Sequence, residues 1–242
     1  MEKLVISGGD SLHGTVYVGG SKNAALPIIA ATLLTGEPCV IRGVPDLSDI
    51  RFMCDILRWL SVEVKHHKTD GVIEVAAAHP LSVAPYELVR KMRASVCLLG
   101  PLLGRLHNCK VSLPGGCVIG DRPIDQHLKG LKRLGAEVEV QKGYVHARCD
   151  DLVGTDVFMG GRFGSTVLGT ANLMMAAVLA KGVTRIESAA CEPEIEDLAD
   201  FLSKMGAKIR GAGSHILEIE GVAELHGTEH TGIPDRIEAG PF

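Results

Sequence analysis

The stretch that decides the fold is residues 124–137, Ile124-Asp125-Gln126-His127-Leu128-Lys129-Gly130-Leu131-Lys132-Arg133-Leu134-Gly135-Ala136-Glu137. An isoleucine stands near the start of a predicted helix, and an apolar residue ten positions later closes it. The same arrangement occurs 74 residues earlier and 71 residues later, at Ile50 with Leu60-Ser61-Val62-Glu63 and at Ile195 with Met205-Gly206-Ala207-Lys208. Glycine directly after the last apolar residue is typical of a helix C-terminus. The recurrence predicts three copies of one structural unit.

Each predicted unit contains a helix, a strand, a second helix and two more strands. The first helices, at residues 24–34, 96–103 and 167–179, are apolar nearly all round, which predicts that they are buried. The second helices are predicted at 49–60, 124–134 and 193–205. The nine strands are predicted at 39–41, 62–65, 72–75, 110–113, 137–140, 144–147, 184–186, 207–209 and 216–219. Residues 3–6 and 15–18 are predicted to be two short strands before the first unit.

Composition limits the class of protein. The chain has 242 residues, of which 46% are hydrophobic and only 4% aromatic, enough for a sizeable core in one or two domains. The formal net charge of −4, without a sustained basic tract, argues against nucleic-acid binding, and no apolar run reaches the length of a membrane span. The seven cysteines include no Cys-x-x-Cys pair, so neither a disulfide framework nor a zinc site is indicated. A reducing cytoplasm is the expected compartment.

A glycine-rich loop, Leu113-Pro114-Gly115-Gly116-Cys117-Val118-Ile119-Gly120-Asp121-Arg122-Pro123, leads into the middle second helix. Glycines allow positive φ or a close approach to a ligand. A helix N-terminus and the cation of Arg122 both favour an anion nearby, either a bound phosphate or the Cys117 thiolate. The loop is therefore a candidate for covalent or acid–base chemistry. The alternative is that Cys117 is an unreactive loop thiol.

This loop closely resembles the active-site loop of the UDP-N-acetylglucosamine enolpyruvyl transferases, and the resemblance extends over essentially the entire chain. It implies an α/β (α+β) fold, in which each of two lobes has three βαβαββ repeats around buried helices, an inside-out α/β barrel. By this resemblance, residues 1–20 contain strands of the other lobe, 21–233 form one complete lobe, and 234–242 cross back to a second lobe that is absent from these residues.

The resemblance also assigns the residues at the start of the first two units. In Gly20-Ser21-Lys22-Asn23-Ala24, it implies that Lys22 contacts the phosphate of phosphoenolpyruvate and that Asn23 orients the sugar substrate. Arg93 occupies the corresponding place in the second unit. Lys22, Arg93 and Arg122 together give three cations. Such a set suits phosphoenolpyruvate, which is a small trianion. From the residues alone, Lys22 is equally well read as a solvated lysine at a helix start.

Four further residues are assigned in the same way. His127 would touch the nucleotide-sugar by resemblance, whereas the sequence alone suggests an exposed helix residue. The stretch Arg162-Phe163-Gly164-Ser165-Thr166 replaces the usual Ser-Val-Gly-Ala-Thr of the family. Arg162 could still meet a diphosphate beside Gly164, but this departure from the motif puts the usual serine contact in doubt. Asp235 would shape the cleft at the crossover.

The activity implied is transfer of enolpyruvyl from phosphoenolpyruvate to the 3′-hydroxyl of UDP-N-acetylglucosamine, the first committed step of peptidoglycan synthesis. Cys117 would deliver a proton to the enolpyruvate methylene, with Lys22 and Arg122 completing the catalytic set and no metal or organic cofactor required. Two alternatives stay open, an enolpyruvyl transferase acting on shikimate 3-phosphate and a non-catalytic lobe that binds nucleotide-sugar. Without the second lobe, these residues alone are expected to bind weakly and not to turn over.

Overall fold

The structure is a computed structural model that describes residues 3–5, 8–9, 13–113, 115, 123–162 and 164–241. The predicted catalytic residues Cys117 and Arg122 lie outside the described residues.

The helices and strands follow the three predicted units. The first unit contains α1 (Lys22–Ala31) with a 3₁₀ turn at Thr32–Leu34, β1 (Cys39–Arg42), α2 (Ser48–Trp59), β2 (Glu63–His67) and β3 (Val72–Ala76). The second contains β4 (Val83–Ala84), α3 (Tyr86–Val89), a 3₁₀ segment (Arg93–Leu98) continued by α4 (Leu99–Leu106), β5 (Asn108–Ser112), α5 (Asp125–Arg133), β6 (Glu137–Gln141) and β7 (Tyr144–Arg148). The third contains β8 (Asp156–Phe158), α6 (Val167–Ala177), β9 (Val183–Glu187), α7 (Pro193–Lys204), β10 (Lys208–Arg210) and β11 (Ile216–Glu220), and the chain then adds β12 (Glu229–Thr231) and α8 (Arg236–Ala239).

The strands form three four-stranded sheets, one for each unit, in the orders β12-β1-β3-β2, β4-β5-β7-β6 and β10-β11-β9-β8. In each sheet a short first strand pairs in parallel with the longer strand that follows the buried helix, and the remaining pairs are antiparallel. The second and third units supply their own first strand. The first unit takes its first strand from the other end of the chain, because β12 pairs with β1 in the register Ile41 to His230. The fold class expected from the family resemblance is confirmed.

The sequence pattern missed the three short parallel strands β4, β8 and β12. They have two or three residues each, too few for an apolar–polar alternation to be visible. The prediction of two strands near the start was wrong for the described residues, because 3–5 and 15–18 form no strand. Within the part of the chain that the structure describes, neither segment lies beside a pairing strand, and their side chains are open to solvent: Leu4 is 94% and Tyr17 92% exposed.

The predicted helix ends are confirmed by the backbone. The second residue after α2, α5 and α7 has positive φ in every unit, 63° at Ser61, 96° at Gly135 and 106° at Gly206. Each follows a fully buried apolar residue, namely Leu60, Leu134 and Met205. Left-handed backbone costs a non-glycine residue roughly 1–2 kcal/mol, so the first unit pays for its serine where the others have glycine.

The three first helices, which we call the inner helices, are α1, α4 with its preceding 3₁₀ segment, and α6. Almost all of their residues are buried, and they pack against one another, as predicted. Gly100 lies against Asn172 and Gly104 against Ala176, so α4 and α6 run in the same direction. Arg105 at the end of α4 donates to the carbonyls of Leu33 and Thr35 just after α1, so these two also end together.

The inner helices are therefore parallel, with their N-termini gathered at one end of the lobe, the amino end, and their C-termini at the other, the carboxyl end. Across the described residues, none of the helices combines the length and the apolar character needed to cross a bilayer.

Candidate active site

The amino end of the inner helices is organised by hydroxyl side chains. Ser21 Oγ accepts from the Ala24 amide at 3.3 Å, and Thr166 Oγ1 accepts from the Gly169 amide at 3.2 Å. Each cap satisfies one of the amides left without a partner in a first helical turn. The remaining amides and the helix dipoles favour an anionic group at this end.

A groove of about 630 Å³ opens at the amino end, between the start of α5 and the start of α6. Its wall contains Arg93, Arg162 and Gly164, three of the residues predicted from the sequence, together with Asp125 and Gln126. Two guanidinium groups beside a helix N-terminus suit a phosphate or carboxylate ligand.

Gly164 has a conformational reason to be glycine. Its φ is 89°, and it exchanges two backbone hydrogen bonds with Gly161, at 2.9 and 3.1 Å. This tight turn presents Arg162 at the exposed rim of the groove. The predicted role of Gly164 therefore rests on backbone shape.

Lys22 lies in the first turn of α1, where its Nζ is 2.9 Å from Asp49 Oδ2 at the start of α2. About a third of each side chain is exposed. Asp49 was missed by the sequence reasoning, because nothing in the sequence links it to Lys22, 27 positions earlier. Asn23 is exposed beside it. Among the residues that the structure describes, neither Lys22 nor Asn23 lines the groove.

His127 is not the exposed helix residue that the sequence alone suggested. It is 3% exposed, because the apolar face of α5 turns it toward α6. Its Nδ1 lies 3.1 Å from Nδ2 of Asn172. Burial, helped by the nearby Arg93 cation and opposed by Asp125, lowers the pKa of His127 to about 4. The imidazole is therefore neutral at pH 7.

Asn172 was missed by the sequence reasoning, although a signal was present. It is a buried amide within the otherwise apolar inner helix α6. At the spacings of 74 and 71 residues that relate the units, its position corresponds to Pro27 in α1 and Pro101 in α4. A polar residue at a repeat position occupied twice by proline marks a departure from the common unit.

The chain enters and leaves the lobe at one place beside α1. Gly20 forms an antiparallel bridge with Pro234, the Ser21 amide donates to the Ile233 carbonyl at 2.8 Å, and the Asp235 amide donates to the Gly19 carbonyl at 2.8 Å. The carboxylate of Asp235 caps α8 by accepting from the Ile237 amide at 2.8 Å.

Glu194, an acidic residue in the first turn of α7, is buried and accepts from Arg236 Nε at 3.0 Å. The leaving segment is thus tied to the third unit.

A second hollow, of about 670 Å³, lies at the carboxyl end. Arg105 lines it and donates to four carbonyls, those of Leu33, Thr35, Ala77 and Ala78, at 2.7 to 3.1 Å. Burial lowers the pKa of Arg105 from its usual value. The negative ends of the helix dipoles disfavour anions here, so anion chemistry belongs at the amino end.

The six described cysteines are free thiols. Burial is the largest cause that raises the pKa of Cys39, of Cys54 and Cys149 to about 11, and of Cys97 and Cys109 to about 12. These five thiols are protonated at pH 7 and are poor nucleophiles. The reactivity predicted for Cys117 remains a prediction, as does the phosphate contact of Arg122.

Comparisons with known proteins agree with this architecture. The family model described as EPSP synthase (3-phosphoshikimate 1-carboxyvinyltransferase) matches residues 6–242. Two relatives named UDP-N-acetylglucosamine 1-carboxyvinyltransferase are 60% identical over 242 residues, from Methylacidiphilum infernorum (isolate V4), and 56% identical over 243 residues, from Akkermansia muciniphila. Each match covers all of this chain and 57% of the relative, so the chain spans little more than half of their length.

Solved structures share the fold at lower identity. The enolpyruvyl transferase NikO from Streptomyces tendae matches with a TM-score of 0.83 and 23% identity, over 96% of this chain and 54% of that chain. EPSP synthase from Acinetobacter baumannii matches with a TM-score of 0.71 and 17% identity, over 91% and 50%. At these identities the likeness concerns the fold alone.

Proposed function

The chain belongs to the EPSP synthase (3-phosphoshikimate 1-carboxyvinyltransferase) family, and on that premise we propose that it serves in the transfer of enolpyruvyl from phosphoenolpyruvate to the 3′-hydroxyl of UDP-N-acetylglucosamine, with release of phosphate. The names of the relatives at 60% and 56% identity support this substrate pair over shikimate 3-phosphate. The free thiols of the six described cysteines fit a reducing cytoplasm, where we place this step of peptidoglycan synthesis.

The observation that carries the proposal is the groove at the amino end, where Arg93 and Arg162 lie beside the start of α6. Both substrates are anions, since one carries a diphosphate and the other a phosphate and a carboxylate. Backbone amides and guanidinium groups that are already in place stabilise such charges without further reorganisation. The groove beside α6 is then the place for the diphosphate, held by Arg162 and the Thr166-capped helix start.

The remaining roles rest on the family resemblance. Lys22 would bind the phosphate of phosphoenolpyruvate after exchanging its ion pair with Asp49, and Asn23 would orient the sugar. Arg93 and Arg122 would share the phosphate and carboxylate charges. Cys117 would protonate the enolpyruvate methylene, which becomes a methyl group, as the 3′-oxygen adds to the neighbouring carbon and gives its own proton to a general base that the resemblance places in the second lobe. Loss of phosphate together with a proton from that methyl group would regenerate the carbon–carbon double bond and complete the transfer. Asp235 would line the cleft near the crossover.

We propose the same domain division as the resemblance implies. Residues 1–20 and 234–242 belong with a second lobe, and 21–233 form the lobe described above. The bridge between Gly20 and Pro234 supports this division, because both segments pass the same point beside α1. Closure of two lobes over the substrates would exclude water and bring the Cys117 loop to the reacting carbon.

A phosphate-release assay tests the proposal. The 242-residue chain is assayed alone and together with the part of the Methylacidiphilum infernorum relative that it does not match, with phosphoenolpyruvate and either UDP-N-acetylglucosamine or shikimate 3-phosphate. We expect release only from the mixture and only with the nucleotide-sugar, and its loss in Cys117→Ala. Release with shikimate 3-phosphate would overturn the substrate assignment. Binding of nucleotide-sugar with no release in any mixture would favour the non-catalytic alternative.

A further inference from the structure

Asn172 joins three parts of the amino end through one side chain. It is 1% exposed. Its Oδ1 accepts from the Gly100 amide at 2.5 Å, and its Nδ2 donates to the Val96 carbonyl at 3.0 Å and lies 3.1 Å from His127 Nδ1. The 3₁₀ segment that begins at Arg93, the helix α5 and the inner helix α6 are thus connected through this one amide.

The orientation of the Asn172 side-chain amide is fixed by two backbone partners, one of which can only donate and the other only accept a hydrogen bond. The Gly100 amide can only donate, so it requires the oxygen of Asn172. The Val96 carbonyl can only accept, so it requires the nitrogen. The atom facing His127 is therefore the NH₂ group, which is a donor. His127 Nδ1 must be the acceptor, and the imidazole proton is on Nε2.

We propose that Asn172 is a positioning residue that holds His127 as the neutral Nε2–H tautomer and thereby fixes the first turn of α5 beside the anion groove. The proposal rests on the proposed function, in which the ligand of that groove is a nucleotide-sugar. Asp125 and Gln126, directly before His127, line the groove, whereas His127 itself is 3% exposed and does not line it. A change at the contact between Asn172 and His127 therefore reaches the ligand through Asp125 and Gln126.

The electrostatic surroundings agree with this assignment. Burial is the largest cause that lowers the pKa of His127, to about 4, and the cation of Arg93 in the 3₁₀ segment lowers it further, whereas Asp125 of α5 opposes both. The amide of Asn172 then decides which nitrogen carries the single proton.

Long-range ¹H–¹⁵N NMR of the histidine side chains in the 242-residue chain tests the tautomer without any ligand. We expect the Nε2–H form for His127 at pH 7. Asn172→Asp keeps an acceptor for Gly100 but replaces the donor with a carboxylate, and should move the proton to Nδ1. The control Asn108→Asp makes the same chemical change at the exposed first residue of β5 and should leave the His127 signals unchanged.

A wild-type Nδ1–H form would overturn the proposal, and so would an Nε2–H form that Asn172→Asp does not alter. If Asn172→Asp does not fold, Asn172→Ala replaces it, with a mixture of both tautomers expected and an unchanged pure Nε2–H form counting against Asn172.

UDP-N-acetylglucosamine is then titrated by calorimetry, where Asn172→Asp should bind roughly tenfold more weakly than Asn108→Asp. An equal affinity of the two variants would overturn the link to the ligand. Because the tautomer is measured without ligand, failure of the nucleotide-sugar to bind at all would instead count against the proposed function.

Discussion

The two ends of the inner helices differ in the backbone groups that lack a partner within the helix, which are carbonyls at the carboxyl end and amides at the amino end. At the carboxyl end, Arg105 reaches four carbonyls within the protein itself. At the amino end, Ser21 and Thr166 each cap one amide, and arginines stand beside a groove of about 630 Å³. Both ends have a hollow, so the difference between them is one of charge: at the carboxyl end the cation of Arg105 is bound by carbonyls of the lobe itself, whereas the groove at the amino end has a helix start and arginines in its wall. An end with amides and cations suits an anionic ligand, whereas the internal hydrogen bonds of Arg105 contribute to stability.

The largest expected effect comes from the contact that aligns two inner helices. A Cβ at Gly100 would lie 2.1 Å from the Asn172 carbonyl oxygen, whereas one at Gly104 would meet its nearest atom at 3.4 Å. We expect Gly100→Ala to lower the free energy of unfolding by about 4 kcal/mol through overpacking and lost hydrogen bonds. Gly104→Ala, one turn later, should be neutral or stabilising by up to about 1 kcal/mol. Urea unfolding measures both, and equal values would refute the parallel alignment.

A pH effect of on the order of 3 kcal/mol is expected from His127. Its pKa is about 4 in the folded chain, below its ordinary value of 6.5, so the unfolded chain binds more protons between these values. This contribution is complete above pH 6.5 and is lost as the pH falls toward 4. As the pH is lowered from 7 to 4, the free energy of unfolding should therefore fall less in His127→Gln than in the wild type. The part that remains comes from His66, whose pKa burial also lowers, and from carboxyl groups whose pKa is lowered by hydrogen bonds, such as Glu37 and Asp46. Parallel curves would contradict the buried neutral imidazole.

The hydrogen bonds of Arg105 at the carboxyl end should contribute to stability but not to ligand binding. Arg105→Met removes the donor from four carbonyls, and we expect a loss of about 2 kcal/mol in the free energy of unfolding, without a change in nucleotide-sugar affinity. Arg148→Met is the matched control, because Arg148 pairs with Glu137 on an exposed strand, and should cost less than about 1 kcal/mol. A weaker nucleotide-sugar affinity in Arg105→Met would contradict the assignment of ligand binding to the amino end.

The smallest predicted effect tests the role of Arg162 in the groove at the amino end. Arg162→Ala should weaken binding of UDP-N-acetylglucosamine by about tenfold, near 1.4 kcal/mol, while the free energy of unfolding changes by less than about 0.5 kcal/mol. Arg210→Ala, at a side chain that is 86% exposed in β10, is the control and should leave the affinity unchanged. Calorimetric titration distinguishes them. Equal affinity for both variants would remove Arg162 from the site.

The repeat was readable from the sequence because it depends on local physics. The backbone takes positive φ where the second helices end, and glycine is the residue best suited to that conformation. Gly135 and Gly206 therefore make two of these helix ends visible in the sequence. The all-apolar inner helices recorded their burial in the same way. The short strands β4, β8 and β12 left no such record, because their conformation is imposed by the longer strand beside them.

The site was predictable in part. Arg93, Arg162 and Gly164 were predicted from the family motif and share one groove. The pairing of Lys22 with Asp49 and of His127 with Asn172 was not predictable, because each joins residues that are 27 and 45 positions apart. His127 was misread from the sequence alone, since a polar residue on a helix carries no information about which neighbour covers it.

The sequence by itself determined the three units, their helix ends, the buried inner helices and the motif that identifies the family. Only the tertiary structure decided that β12 completes the sheet of the first unit, that the inner helices run parallel, and that the amide of Asn172 lies against Nδ1 of His127. The first group follows from interactions within a few residues or from periodic burial. The second depends on contacts between distant residues, whose geometry exists only once the chain is packed.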